Sequence, residues 1–241
     1  MKKILTALLA VVMLASVILS AIADQEETKI HFRGLPWRAK YSYVKSELSD
    51  LMLMDYRGEV FNPYSIADVM FDEWTGDYEY EYTDIDIFAY ATNQTKVAGY
   101  TTSNIFLYFV YVPVDGQLIR TNDHAALYGA TYRFEPENVD LVYSDLLDKL
   151  TELYGPIYKD TTWRKENYFG YDVRNVIWID GEGILVLGKK YAINDSFKDR
   201  VWISYLTSFG DKYLQAASDA EKSARLAAEE QAAESNDNTG L

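Results

Sequence analysis

The chain has 241 residues, enough for one large domain or two small ones, and its formal charge is −14. Aromatic residues make up 15% of the chain and 21 residues are tyrosines, which is the composition of a folded protein and not of a disordered one. There is no cysteine, which excludes disulfides, cysteine-ligated metals and thiol catalysis. The acidic balance argues against a nucleic-acid partner, because nucleic-acid recognition needs a basic surface.

Residues 1–23 have the pattern of a secretory signal peptide. Lys2 and Lys3 precede a long apolar stretch, and Ala21-Ile22-Ala23 fits the small-x-small cleavage rule. We expect bacterial export by a cleavable leader to a secreted or extracytoplasmic location. The alternative is an uncleaved leader that anchors the protein, which would be its only contact with a membrane. Cleavage removes Lys2 and Lys3 and would make the formal charge of the remaining chain more negative, at −16.

The first part of the mature chain is predicted to contain one helix and several strands. Residues 29–33 are predicted as a short strand, and apolar residues recur every three or four positions from Tyr41 to Leu51, which predicts a helix. Residues 52–77 have no clear period. Strands are then predicted at residues 78–87, with a bulge or turn at 83–84, and at residues 94–100, 105–112 and 127–134. The strand at 105–112 is apolar throughout, which is typical of a central strand covered on both faces.

The second part repeats the order of helix and strands. A helix is predicted to start near Pro136 and to end at Gly155-Pro156. Its predicted buried stripe is Val139, Val142, Leu146, Leu150 and Leu153. Strands are predicted at residues 173–179, 184–187 and 201–206, and the first two are joined by a hairpin turn at Asp180-Gly181-Glu182-Gly183.

A last helix is predicted over residues 211–234, and its inner stripe is almost all alanine. The stripe consists of Ala217, Ala220, Ala224, Ala227 and Gln231. Because alanine buries little area, we expect this helix to be loosely attached. Residues 235–241 are expected to be disordered.

The predicted fold class is therefore α+β, with two similar halves, each a helix packed on an antiparallel sheet, plus a loosely attached C-terminal helix. The predicted boundaries are a signal peptide at 1–23, a first half at 24–134, a second half at 135–210 and a C-terminal helical tail at 211–241.

The most conspicuous cluster of functional groups is the run from Asp72 to Asp86, which has seven carboxylates, Trp74 and three tyrosines, and no basic residue. It has four interpretations: a solvated strand edge, a Ca²⁺ site, a pair of glycosidase carboxylates, or a recognition surface. The solvated edge is the simplest of these. For the recognition surface, the candidate partner-binding residues are Trp74, Tyr78, Tyr80 and Tyr82.

Other chemistry has little support in the sequence. The two histidines, His31 and His124, lie in no zinc-binding motif, and there is no nucleophile elbow and no glycine-rich phosphate loop. We therefore predict no catalytic residue, no metal site and no cofactor. The basic residues from Lys29 to Lys45 could bind an anionic envelope polymer, but we expect them to neutralise the acidic run from Asp72 to Asp86 within the fold.

Several stretches resemble an uncharacterised family of exported proteins from Clostridia-like bacteria, for which no activity is known. They are Phe32-Arg33-Gly34-Leu35-Pro36-Trp37, Val97-Ala98-Gly99-Tyr100, Tyr132-Arg133-Phe134 and Leu153-Tyr154-Gly155. That family has glycine after the tryptophan and a small hydroxyl residue before the helix, where this chain has Arg38 and Lys40. The resemblance implies export and an α+β fold, and the departure at Lys40 predicts a helix without the usual cap. In outline the halves are also similar to the β-lactamase-inhibitor-protein and outer-membrane-assembly-lipoprotein type of module.

The function predicted from the sequence is that of an exported, non-enzymatic binding or interaction module, with an unknown protein or glycan as its partner. The alternatives are a carboxylate-dependent hydrolase of an envelope or extracellular polymer, and a purely structural spacer. An enzyme would bring two or more carboxylates together in a pocket with separated pKa values.

Replacing Tyr80 by alanine distinguishes a recognition residue from a core residue. If the tyrosines of residues 78–82 form a partner surface, Tyr80→Ala will change the free energy of unfolding by no more than about 0.5 kcal/mol and will lower partner affinity. A loss of about 3–5 kcal/mol in chemical denaturation would instead identify a core tyrosine.

Overall fold

The computed structural model describes residues 28–56, 86–91, 93–165, 171–192 and 198–237. They form an eight-stranded antiparallel sheet, a two-stranded sheet and three α-helices, so the fold is α+β as predicted. Within these residues, no helix is both long enough and apolar enough to cross a membrane.

The helices are α1 (Tyr41–Glu47), α2 (Val139–Tyr154) and α3 (Gly210–Asp237). The strands are β1 (Leu53–Tyr56), β2 (Asp86–Ala91), β3 (Lys96–Val97), β4 (Tyr100–Thr101), β5 (Asn104–Tyr111), β6 (Ala125–Phe134), β7 (Lys159–Lys165), β8 (Tyr171–Asp180), β9 (Gly183–Ala192) and β10 (Arg200–Thr207). A 3₁₀ turn at Asn122–His124 precedes β6.

The large sheet has the order β1-β2-β5-β6-β10-β9-β8-β7, and each neighbouring pair is antiparallel. Strands β3 and β4 pair only with each other. The strands that follow α1 therefore lie on one side of the sheet and those that follow α2 on the other, and β6 and β10 meet in the middle.

Helices α1 and α2 pack on the same face of the large sheet, which we call the helical face. Strand β5 illustrates how its residues alternate: Ile105, Leu107 and Phe109 join the core with α1 and α2. The intervening Phe106, Tyr108 and Val110 join a second cluster on the opposite face, with Phe209 and Ala217 of the α3 region. Both faces of β5 are buried, which confirms the prediction for this strand.

A bulge in β6 shifts the alternation of its side chains by one residue. The register with β5 shifts between Tyr108 and Phe109, whose partners are Gly129 and Leu127, so that Tyr128 is the extra residue. Leu127 and Ala130, on either side of the bulge, both reach the helical face, while Tyr128 packs on the opposite face.

Helix α2 begins later than predicted and buries fewer of its apolar residues. Asn138 is its N-cap and accepts a hydrogen bond from the backbone N–H of Leu141 at 3.0 Å, whereas Pro136 lies before the cap. The helix ends at Gly155, whose φ of +84° favours glycine. The prediction that Leu153 is buried is wrong, because Leu153 is exposed although the helical period places it on the same side of α2 as Leu146.

Two predicted strands are corrected. Residues 29–33 form an irregular segment, although Ile30 and Phe32 are buried in the core. Residues 94–100 contain the β3–β4 hairpin in place of one strand, because Ala98 and Gly99 both have positive φ, at +52° and +96°, as a two-residue hairpin turn requires. Of the predicted strand at 78–87, residues 78–85 lie outside the described residues, and β2 begins at Asp86.

The first helix is shorter than the predicted 41–51 and has no side-chain cap. Lys40 occupies the N-cap position and its side chain accepts no backbone hydrogen bond, which confirms the expectation drawn from that residue. The helix stays in place through burial of Tyr41 and Val44 against the sheet.

The sheet should not accept a side chain at Gly188. A Cβ added there would lie 2.0 Å from Cε2 of the buried Trp202 and 2.4 Å from Oδ1 of Asn175. We expect Gly188→Ala to lower the free energy of unfolding by about 1–3 kcal/mol, because the tryptophan must move. The matched control is Gly210→Ala, whose Cβ would lie 3.1 Å from the ring of Tyr128. Because alanine also has the higher helix propensity, the free energy of unfolding of this variant should stay within about 1 kcal/mol of the wild-type value. An unchanged urea midpoint for Gly188→Ala would contradict the close packing.

Candidate functional site

The residues proposed from the sequence as a partner surface cannot be located. Trp74, Tyr78, Tyr80 and Tyr82 all lie outside the described residues, as do the other members of the acidic run before Asp86. Their role as a partner surface therefore stays a prediction.

The two histidines are not brought together. His31 lies in the irregular segment before α1, with its ring 6.1 Å from that of Trp37. His124 ends the 3₁₀ turn, and its Nδ1 lies 2.7 Å from Oγ1 of Thr121. The neighbouring Asp123 carboxylate accepts a hydrogen bond from Ser42, so it does not orient the imidazole as a catalytic triad requires.

Two arginines of the basic segment are paired with carboxylates elsewhere in the fold. Arg33 donates two hydrogen bonds to Asp50, at 3.1 and 2.8 Å. Nη2 of Arg38 donates to both carboxylate oxygens of Glu182, at 3.0 and 3.3 Å. The pairing with Arg33 lowers the pKa of Asp50. The partners of these two arginines are internal but do not belong to the acidic run, so the expected neutralisation of that run stays a prediction.

The densest cluster of ionisable groups connects α2 to the edge of the helical face. Lys189 donates to Asp140 at 2.6 Å and to the hydroxyl of Tyr191 at 3.2 Å, and Tyr191 also donates to Asp140. The ring of Tyr143 lies between two cations, with Lys189 Nζ at 4.8 Å and Arg174 Cζ at 5.6 Å from its centroid. This cluster is the best candidate for chemistry among the described residues.

The electrostatics of this cluster fix its charge states. Hydrogen bonds from Lys189 and Tyr191 lower the pKa of Asp140. Burial alone would lower the pKa of Lys189, but its hydrogen bonds to Asp140 and Tyr191 outweigh burial and raise it. Burial raises the pKa of Tyr143 to about 12. Since each shift moves a pKa away from neutrality, the groups act as an ion pair and neutral phenols, and they are poorly suited to proton transfer near pH 7.

A second cluster has the same character. The Tyr100 hydroxyl donates to Asp145 at 2.7 Å, and Lys149 donates to Asp145 at 2.6 Å and to the Ala98 carbonyl at 3.0 Å. Lys149 lowers the pKa of Asp145 more than Tyr100 does. The cluster ties the β3–β4 hairpin to α2. No group of three or more His, Asp or Glu residues is placed to hold a metal ion within the described ranges.

A different kind of site lies at the corner where α2 ends and β7 begins. Four large apolar side chains are exposed there, and we call them the corner patch: Leu153 (66% exposed), Ile157 (40%), Tyr158 (68%) and Ile179 (41%). The backbone N–H of Tyr158 donates to the Ile177 carbonyl at 2.8 Å, and the indole of Trp178 donates to the Gly155 carbonyl at 3.1 Å. These bonds hold the two chain segments of the patch together.

The corner patch was missed by the sequence analysis for a simple reason. Leu153 fits the apolar period of α2, and strand β7, with the sequence Lys-Asp-Thr-Thr-Trp-Arg-Lys, has no apolar alternation to reveal it. Strand β7 is one of the two edges of the described sheet. Ile179 is paired with Ile184, which belongs to a cluster on the face opposite α2, so the members of the corner patch are divided between the two faces of the sheet. Exposed apolar side chains on adjoining chain segments are typical of an interaction surface.

The hydroxyl of Tyr143 gives a test of the ion cluster. It is buried without a hydrogen-bond partner, so Tyr143→Phe should keep the free energy of unfolding at pH 7 within about 0.5 kcal/mol of the wild type, or raise it.

Above pH 10 the two proteins should differ. A tyrosine with a folded pKa of about 12 stabilises the fold below its unfolded pKa, and that stability is lost as the pH rises towards 12. The wild type should therefore lose up to roughly 2 kcal/mol that Tyr143→Phe retains. Urea denaturation at pH 9 and 11.5 measures this, with Tyr158→Phe, an exposed tyrosine, as the control. Equal losses in all three proteins would contradict the burial of this phenol.

Comparison with known proteins gives no relative. No protein-family model, no curated protein and no solved structure matches the chain at a significant level.

Proposed function

We propose that this protein is an exported binding module that recognises a protein or glycan outside the cytoplasm and catalyses no reaction. The observation that carries the proposal is the corner patch, a set of exposed apolar side chains held on a rigid sheet edge. Binding sites commonly place exposed aromatic and aliphatic side chains on such scaffolds. The leader pattern of residues 1–23 supports export, with cleavage after Ala23.

The ion clusters favour binding over the alternative of a carboxylate-dependent hydrolase. A hydrolase needs one carboxylic acid with a raised pKa beside one that stays ionised. Asp140, Asp145 and Asp160 have lowered pKa values, each because of a hydrogen bond from a neighbouring cation. Each of these carboxylates thus helps to hold a helix or strand in place.

The architecture we propose for this module is a duplication. Helix α1 with β1, β2, β5 and β6 would be one unit, α2 with β7 to β10 the second, and the units would join through their last strands. Helix α3 would be an addition to this pair and only loosely attached. The order of the strands supports this view, since each side of the sheet reaches β6 or β10 in the same way.

The test is capture of a partner by the exported full-length protein from the culture medium and cell envelope of its source cells. We expect the wild type to retain a defined protein or glycan, and Tyr158→Ser combined with Ile179→Ser to weaken retention at least about tenfold. Leu226→Ser, which removes an exposed leucine from α3, is the matched control and should bind as the wild type does.

Two results would contradict the proposal. Equal capture by the wild type and the double variant would remove the corner patch from the binding surface. If the wild type released shortened glycan from purified envelope polymer, and replacement of a carboxylate abolished this activity, the hydrolase would be favoured instead.

A further inference from the structure

Arg38 has a backbone conformation that ordinarily selects glycine. Its φ is +65°, in the left-handed region, where a Cβ is unfavourable. The conformation is imposed by pairing with β6: the N–H of Arg38 donates to the Leu127 carbonyl at 3.0 Å, and the N–H of Leu127 donates to Ala39 at 2.9 Å. An arginine at this position therefore needs a reason that lies in its side chain.

The side chain of Arg38 connects the body of the protein to the start of α3. Nη2 of its guanidinium donates to both carboxylate oxygens of Glu182, in the turn between β8 and β9, at 3.0 and 3.3 Å. The same group lies 4.3 Å from the ring centroid of Phe209 and 5.9 Å from that of Tyr213. Phe209 directly precedes α3 and Tyr213 lies in its first turn, with the two rings edge to face.

Beyond this point, α3 is held by few groups. The helix covers Phe106, Tyr108, Val110 and Tyr128 on the opposite face of the sheet, and its own contributions are the partly buried Tyr213 and Leu214 and the buried Ala217 and Ala220. Residues 222–232 are exposed. One further ion pair, between Arg120 and Glu221, lies where the packed part ends. A surface with three aromatic rings is thus covered by the N-terminal part of α3 alone, as far as Glu221.

We propose that α3 is a displaceable cover over this aromatic sheet surface, and that Arg38 is the latch that holds it closed. The strained backbone of Arg38 is kept because glycine, which would relieve the strain, could not bridge Glu182 to Phe209 and Tyr213. Opening of α3 uncovers Phe106, Tyr108 and Tyr128 as a second surface, on β5 and β6 and away from the corner patch.

The latch is sensitive to salt. The side chains of Arg38 and Glu182 are 38% and 43% exposed, so added salt screens their ion pair. The contact of the guanidinium with the Phe209 ring is less affected, because part of it is buried area. Increasing ionic strength therefore shifts the helix towards the open state without releasing it fully.

Hydrogen exchange on the full-length chain tests the latch. Arg38→Gly relieves the backbone and removes the bridge, and we expect the amides of residues 211–221 to exchange about tenfold faster, which corresponds to about 1.4 kcal/mol. Binding of an apolar fluorescent dye should rise with it, while exchange in β9 and β10 stays unchanged. Asp115→Gly is the matched control, because it also relieves a positive φ, of +51°, but lies in the turn after β5.

Glu182→Gln provides a second variant that leaves the backbone at residue 38 untouched, and it should give a smaller increase in the same amides. Unchanged exchange of residues 211–221 in both variants would overturn the proposal. Faster exchange spread equally over the whole sheet would also overturn it, since Arg38 would then support the fold in general.

Discussion

The pairing of β6 with β10 is the contact on which the rest of the structure depends. It joins the strands that follow α1 to the strands that follow α2, in one continuous sheet. At its centre Thr131 lies opposite Ser204, and their hydroxyls are hydrogen-bonded at 2.8 Å although both residues are almost fully buried. This buried polar pair specifies the register, because a slip of one residue would separate the hydroxyls and turn Tyr132 and Ile203 away from the core.

The core that this register creates accounts for most of the stability, and the charged clusters orient what surrounds it. The pairs of Asp140 with Lys189 and of Asp145 with Lys149 are partly exposed, and such pairs contribute little free energy each. Their effect is geometric: the first fixes the start of α2 against β9, and the second brings the β3–β4 hairpin to the middle of that helix. Specific orientation from polar contacts and stability from apolar burial are thus supplied by different residues.

Much of the fold could be predicted from the sequence where a single period controls burial. Residues 105–112, apolar throughout, are a strand covered on both faces, and the turn between β8 and β9 lies where its glycines predicted it. The predictions failed where tertiary structure sets the outcome. The extra residue Tyr128 in β6 has no sequence signal, since its neighbours are also apolar. Strand β7 carries mostly polar residues because it lies at the edge of the sheet among the described strands, and the corner patch beside it escaped prediction for the same reason. The proposed role of Trp74 and its neighbouring tyrosines rests on the sequence alone.

The length of α3 gives a small rearrangement at its base a large effect at its far end. At 1.5 Å per residue its 28 residues extend about 42 Å, and residues 222–232, about 16 Å of this length, are exposed. In the proposed opening, the helix turns as one unit about its start near Phe209. A tilt of about 10° at that pivot would move the tip by about 7 Å, given this length. Motion at Arg38 too small to alter the core would therefore change how far from the body of the protein the C-terminal end can reach.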